Sequence, residues 1–253
     1  MPNGFTESYV HEDNFRTTDT LYGGLQIAKP GEIASARRQL SFIIRFVMDG
    51  EGFTSVDGKR MPMKKGDAIV ITGYHWYDHE NKSDEPVIWL DGSNVHPNSH
   101  LLSLVPVNPD VYQNSQYSSR LCEDCKLLFP WKRVEAFLNA QEGPYAVYHY
   151  SFGDSKPIST DITLQAERVD GYHSTTRTHE IGSFIYHCFE GQGYTEMETP
   201  LEKTETIHWT TGDIFVVPAN STIRHVSTSD RRAYLVGFTD RPVLEMMEIL
   251  KHR

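Results

Sequence analysis

The chain has 253 residues, 38% of them hydrophobic and 23% charged, and its formal net charge is −10. This composition is typical of a folded globular protein, and the acidic balance argues against a nucleic-acid partner. The sequence shows no apolar run long enough for a membrane helix and no secretory signal. Its three cysteines are too few for a disulfide framework. We therefore expect a cytoplasmic protein with no membrane partner.

Short runs of apolar, β-branched and aromatic residues, separated by Gly, Asp and Asn, recur along the chain and predict β-strands. Clear examples are residues 41–52, 66–73, 85–92, 182–193, 212–219 and 232–238. Many short strands with such turn signals favour a β-sandwich or barrel.

Two segments have the apolar spacing of helices. In the first, Pro130 suits the opening turn. Its expected apolar face consists of Trp131, Val134, Phe137 and Leu138. The second is the last stretch of the chain, with Val243, Met246, Met247 and Leu250 at helical spacing. We expect both helices to pack on sheet surfaces.

One β unit occurs twice in the chain. In each copy a Gly-x-Gly turn precedes a Gly-Asp pair, and a histidine follows 13 residues later, His79 after Gly66 and His225 after Gly212. This predicts two barrels offset by about 146 residues. The expected parts are an N-terminal extension (1–20), a first barrel (21–100), a connector with a helix (101–143), a second barrel (144–241) and a C-terminal helix (242–253).

These motifs resemble the cupins, and more narrowly the bicupin gentisate and salicylate 1,2-dioxygenases. The stretches that carry the resemblance are 20–36, 45–67, 75–92 with the motif HWYDHEN, 129–138, 212–218 and 237–247. The resemblance implies an all-β fold of two tandem cupin barrels (double-stranded β-helix, jelly-roll), a connector helix and a C-terminal helix. It also implies a homodimer or homotetramer.

The positions of the family's Fe(II) ligands differ in this chain. The resemblance implies a His-x-His pair and a third His in the first barrel, where this sequence has Arg37, Gln39 and Tyr77. The corresponding positions of the second barrel hold Arg177, His179 and Ile223. Because arginine stays protonated and cannot coordinate iron, we predict no metal and no other cofactor.

Substrate-contacting positions of the family are partly kept. The resemblance assigns substrate contact to Arg45 and His79, and it places Tyr22 where the family has a Trp. Arg45 lies in an apolar strand, so it either binds an anionic ligand or forms a salt bridge to a core carboxylate. His79 and Tyr77 share a strand face and can act as acid and base, unless His79 is a structural core residue and Tyr77 fills the former iron site.

The expected site therefore contains both catalytic and binding residues. The catalytic candidates are His79, Tyr77 and Arg45. The substrate-binding candidates are Arg45, Arg37, Gln39, Tyr22, Trp76, Arg177, His179 and His225. We expect the last three to face the interior of the second barrel. That interior is either a second polar cavity or purely structural. We expect the Cys-x-x-Cys of Cys122 and Cys125 to be a loop with two free thiols.

Three functions compete. The first is a metal-independent enzyme that acts on an aromatic, polyketide-like or enolic acid by isomerisation, cyclisation, dehydration or decarboxylation. The second is a ring-cleaving dioxygenase with atypical Fe(II) ligands, and the third is a non-catalytic binder of a small acidic molecule. Shared ancestry does not decide between these functions, because one fold supports many chemistries. Metal content and turnover of aromatic acids distinguish them.

Overall fold

The computed structural model describes residues 16–38, 41–94, 121–122, 125–153, 156–201 and 203–247. Within these ranges the contacts define two compact units, one from Tyr22–Trp131 and the other from Thr17–Leu21 with Lys132–Arg253. No helix in the described ranges is long and apolar enough to span a membrane.

Barrel 1, in the first unit, consists of two antiparallel sheets. Its strands are β1 (Leu21–Ala28), β2 (Ile33–Arg38), β3 (Ile43–Asp49), β4 (Glu51–Val56), β5 (Lys59–Lys64), β6 (Ala68–Ile71), β7 (Trp76–Glu80), β8 (Val87–Asn94) and β9 (Leu128–Phe129). The sheet orders are β1-β8-β3-β6-β9 and β2-β7-β4-β5. Val47 and Trp89 of one sheet and Val56 and Met61 of the other bury their side chains in one core, which closes the barrel.

Barrel 2, in the second unit, repeats this arrangement. Its strands are β10 (Tyr145–His149), β11 (Ser151–Phe152), β12 (Lys156–Pro157), β13 (Thr163–Val169), β14 (Thr178–Glu180), β15 (Phe184–Glu190), β16 (Gln192–Glu198), β17 (Thr204–Thr210), β18 (Ile214–Val217), β19 (Ser221–Ser227) and β20 (Ala233–Thr239). The sheet orders are β10-β13-β20-β15-β18 and β14-β19-β16-β17, with β11 and β12 paired separately. The succession of strands matches that of barrel 1, so the predicted repeat and the two-barrel fold are confirmed.

Both predicted helices occur. Helix α1 (Trp131–Ala140) buries Val134 and Leu138, whereas Phe137 is 43% exposed against Tyr148. The buried Arg168 guanidinium donates to the carbonyls of Leu138, Gln141 and Gly143, so a cation satisfies the C-terminal end of this helix. Helix α2 (Arg241–Met246) begins one residue before the expected start, and residues 248–253 lie outside the described ranges.

The expectation of free thiols at the Cys-x-x-Cys motif is wrong. Cys122 and Cys125 form a disulfide with their Cα atoms 5.4 Å apart, and both side chains pack against the core of barrel 1. This separation lies within the range that a disulfide requires. Cys188 is a buried free thiol, and burial raises its pKa to about 12.

Candidate functional site

Strand register turns the predicted residues of barrel 1 toward its interior. Tyr77 pairs with both Val56 and Arg37, and His79 pairs with Thr54. Directly opposed residues of antiparallel strands share a sheet face, and Val56 lies in the barrel core. The side chains of Arg37, Tyr77 and His79 therefore share the interior face.

Arg45 forms a buried ion pair that crosses from β3 to β8. Its Nε donates to Asp91 Oδ1 at 2.8 Å and its Nη2 to Asp91 Oδ2 at 2.7 Å. The guanidinium also lies 4.5 Å from the Trp89 ring centre, and Arg45 is 1% exposed. The salt bridge to a core carboxylate is therefore present, and this bidentate contact occupies much of the guanidinium that would otherwise be open to a ligand.

The remaining side of the Arg45 guanidinium contacts His79. Nη1 lies 2.6 Å from His79 Nδ1 and 3.1 Å from Nε2, and it donates to Thr54 Oγ1 at 3.0 Å. Because a guanidinium only donates, the nearer Nδ1 accepts, and the proton of the neutral ring is on Nε2. Burial lowers the pKa of His79 well below 6.5, and the charges of Arg45 and Arg37 lower it further.

A pH dependence of stability follows from the buried histidines of the two barrels. Burial also lowers the pKa of His225 in barrel 2. Below about pH 6.5 the unfolded chain binds a proton at both imidazoles, whereas the folded chain does so only at lower pH. We expect the free energy of unfolding to fall between about pH 7.5 and 5.5, with a slope up to about 1.4 kcal/mol per pH unit for each histidine.

Urea unfolding at several pH values measures this slope. The variant His173→Gln serves as a matched control, because His173 is exposed. It should show the slope of the unmodified protein, whereas His225→Gln should show a shallower one. A stability that stays constant or rises on acidification over this range would contradict the neutral, buried state of the two rings.

Half-buried and buried side chains meet beside this ion pair: Arg37 and Tyr22 are half-buried, whereas Tyr77 and His79 are buried. The Arg37 guanidinium lies 5.8 Å from the Tyr77 ring centre, and the Tyr77 and His79 rings are 5.5 Å apart. On β1 the Tyr22 ring lies across Gly24, where a Cβ would come within 2.6 Å of the Tyr22 hydroxyl. Arg37, Tyr77, His79 and Arg45 therefore form a continuous row of side chains that ends at the buried ion pair.

One predicted binding residue of barrel 1, Trp76, does not join this row. Trp76 lies one position before Tyr77 on β7, so its side chain takes the opposite strand face and packs beside the Arg38 guanidinium, 5.1 Å from the Trp76 ring centre. Gln39 lies outside the described residues.

In barrel 2 the predicted inward orientation of Arg177 and His179 is corrected. Strand β14 pairs Thr178 with the core residue Ile223, so alternation sends the neighbouring side chains to the outer face. Arg177 is exposed and lies beside Glu196, and His179 is exposed beside Thr222. The assignment of these positions was one residue off: counted back from Gly191 as Arg37 and Gln39 are from Gly50, the equivalent positions are Thr178 and Glu180.

His225 has the predicted inward position. It is 2% exposed, its Nδ1 lies 2.7 Å from Thr195 Oγ1, and its ring packs edge-on against Tyr186. Thr195 in turn accepts from Trp209 Nε1 at 3.0 Å.

Three site residues were missed by the sequence reasoning. Thr54 follows Gly52 by two residues, as Thr195 follows Gly193, so the repeat itself carried a signal for the threonine beside each histidine. Asp91 lies two positions after Trp89 on β8 and therefore shares its inward face. Gln26 shares a strand face with the core residue Ala28, and its Oε1 is buried with no hydrogen bond to the described residues.

The described residues of barrel 1 do not fit a ferrous ion. Iron sites of this geometry use three neutral or anionic donors that leave positions open. At the two positions of β2 and β7 that the resemblance implies for ligands, the chain has Arg37 and Tyr77, and the imidazole nearby, His79, accepts from Arg45 at Nδ1. Two guanidinium cations next to this imidazole would repel a divalent metal.

The chain resembles known bicupin dioxygenases along most of its length. The family model described as a cupin domain matches residues 24–92. Gentisate 1,2-dioxygenase 1 of Aquipseudomonas alcaligenes is 30% identical over 89% of this chain and 71% of its own. The 1-hydroxy-2-naphthoate 1,2-dioxygenase of Nocardioides sp. (strain KP7) is 26% identical over 92% of this chain and 66% of its own.

A solved structure shows the same fold. The salicylate 1,2-dioxygenase of Pseudaminobacter salicylatoxidans superposes with a TM-score of 0.76 at 21% identity, over 93% of this chain and 75% of that one. With the shared strand order of the two barrels and the identity to the Aquipseudomonas enzyme, the chain belongs to the bicupin family of the gentisate and salicylate 1,2-dioxygenases.

Proposed function

We propose that barrel 1 binds an aromatic or enolic carboxylic acid and catalyses a metal-independent proton-transfer reaction on it, such as isomerisation, cyclisation, dehydration or decarboxylation. Arg37 pairs with the carboxylate. The neutral His79 donates from Nε2 to the oxygen that gains negative charge, and the Tyr77 hydroxyl exchanges a proton with the substrate. Arg45 acts through His79 and is a positioning residue.

The contact between Arg45 and His79 carries this proposal. The hydrogen bond at 2.6 Å occupies the lone pair of Nδ1, so His79 offers a donor and not a metal-binding nitrogen at that position. A neutral imidazole next to fixed cations can stabilise an enolate without itself becoming protonated, because charge that develops in a dry site is strongly stabilised by oriented donors.

Metal analysis and a substrate screen test the proposal together. Protein purified without chelator is assayed for metal before and after anaerobic Fe(II) loading, and each sample is incubated with aromatic and enolic acids. We expect metal well below one equivalent and a product formed equally with and without oxygen. Tight binding of an acid without any product would instead support a non-catalytic binder.

Ring-cleaving dioxygenation is the second candidate, and the relatives favour it. The matched proteins are named as dioxygenases for gentisate, 1-hydroxy-2-naphthoate and 5-aminosalicylate. Under this alternative Fe(II) would need ligands other than the three family histidines. Iron near one equivalent together with oxygen uptake on these aromatic acids would replace our proposal by this one.

Arg37 should control substrate affinity. Arg37→Gln removes the proposed carboxylate partner, and we expect KM to rise about 10- to 100-fold with a smaller change in kcat, because a charge-assisted hydrogen bond is lost. Arg38→Gln is the matched control, since Arg38 is the next residue of β2 and lies beside Tyr74 and Trp76 on the other face. An equal effect of both variants would remove Arg37 from the site.

A further inference from the structure

Barrel 2 contains a cavity of its own. Its volume is about 240 Å³, somewhat below that of sites for drug-sized ligands, so it suits a small molecule with a single ring. Strand β14, the start of β15, the end of β20 and the start of α2 surround it. The lining residues are Thr178, His179, Glu180, Ile181, Gly182, Phe184, Thr239 and Arg241.

Glu180 contributes an unsatisfied carboxylate to this cavity. Within the described part of the chain it makes no hydrogen bond and no ion pair, and the Arg241 guanidinium on the other wall binds Glu245 instead, through Nε at 3.1 Å. Burial raises the pKa of Glu180, the positive charge of Arg241 lowers it and the negative charge of Glu167 raises it further. A carboxylate in this setting gains from a ligand that donates hydrogen bonds and carries positive charge.

Two buried polar atoms of β19, the strand that pairs with β14, have no hydrogen-bond partner among the described residues. Ser221, 0% exposed, pairs directly with Glu180 across β14 and β19, and its Oγ makes no hydrogen bond. His225 lies four residues further on the same face of β19, 2% exposed, and its Nε2 makes none either. Buried polar groups are usually hydrogen-bonded, so these two atoms on one strand face can accept a partner such as a water molecule or a ligand.

The two barrels differ in the charged residues that they bury. Tyr186 and Arg45 occupy equivalent positions, each five residues before its Gly-x-Gly turn. Instead of an arginine, barrel 2 has Glu167, which accepts 2.8 Å hydrogen bonds from the Tyr145 and Tyr186 hydroxyls and lies 3.9 Å from His225 Nε2. Glu167 also accepts from Gln165 Nε2 at 2.8 Å, and its negative charge acts on Glu180.

We propose that barrel 2 is a second binding site, separate from the chemistry of barrel 1, for a small ligand that carries a primary ammonium group. Glu180 pairs with the ammonium, and Phe184, another lining residue, contributes apolar surface. Arg241 at the opposite wall adds a partner for a carboxylate. The ammonium can therefore belong to a simple amine or to an amino acid, and Arg241 distinguishes the two.

Isothermal titration of the full chain with three probes of similar frame tests this proposal. The probes are benzylamine, L-phenylalanine and benzoate. We expect saturable binding of benzylamine and not of benzoate. Glu180→Gln should weaken amine binding at least about tenfold, whereas Glu198→Gln, a control on the exposed outer face of β16, should not change it. If the natural ligand is an amino acid, Arg241→Gln should weaken the binding of L-phenylalanine and leave the affinity for benzylamine unchanged.

Three outcomes would overturn the proposal. The first is the absence of saturable binding of either amine to folded protein. The second is an affinity for benzoate that matches that for benzylamine. The third is amine binding that Glu180→Gln leaves unchanged. Thermal melting of each variant verifies that it is folded. The Arg241 side chain is 45% exposed, so the Arg241→Gln variant should fold even if a substitution at a more buried position does not.

Discussion

Replacement of Arg45 by leucine should lower the free energy of unfolding by about 3–5 kcal/mol, because it leaves the Asp91 carboxylate without its bidentate partner inside barrel 1. The loss of the guanidinium also removes the hydrogen bonds to Thr54 and His79. Urea denaturation of purified protein measures the effect.

The double variant Arg45→Leu/Asp91→Leu is the matched control for this prediction. Removal of both charges avoids an unpaired buried carboxylate, so the double variant should recover most of the stability that the single variant loses. A single-variant loss below about 1 kcal/mol would match an exposed ion pair and contradict the buried geometry. Turnover should be impaired in both variants, since neither positions His79.

His79→Ala should lower kcat by about 100- to 1,000-fold on the acid identified in the screen, as expected for a lost donor to a developing oxyanion. The effect on KM should be smaller, because the proposed hydrogen bond strengthens in the transition state. Steady-state kinetics with the unmodified protein and the variant separate the two parameters.

His187→Ala controls for the loss of a buried imidazole. His187 is 2% exposed on β15 of barrel 2, so its removal should destabilise the chain while kcat stays unchanged. If His79→Ala retained full turnover and the protein remained folded, the site would have to lie elsewhere. If both variants reduced kcat equally, the effect would be one of stability and not of chemistry.

Local patterns in the sequence predicted most of the architecture. The alternation of apolar residues, the Gly-x-Gly turns and the spacing of His79 and His225 were sufficient for two barrels of the same strand order. Alternation also predicted correctly that Tyr77 and His79 share a face, because both lie on one regular strand. Helix α1 followed from its own apolar spacing.

Properties that depend on two distant segments were not predictable in this way. The inward side of β14 follows from the register of Thr178 against Ile223, 45 residues later, and an assignment one residue off wrongly placed Arg177 in the interior. The disulfide between Cys122 and Cys125 could be predicted only from the backbone path of the loop, which brings the two Cα atoms within bonding range.

Local periodicity and motif spacing were enough to predict the family and the two barrels. The contacts that the candidate site residues make depend on the tertiary structure. It paired Arg45 with Asp91 from another strand, turned the same guanidinium toward His79 and thereby set which ring nitrogen carries the proton. Ion pairs, tautomers and unsatisfied buried groups depend on atoms that meet only when the sheets close, so no reading of the linear sequence can assign them.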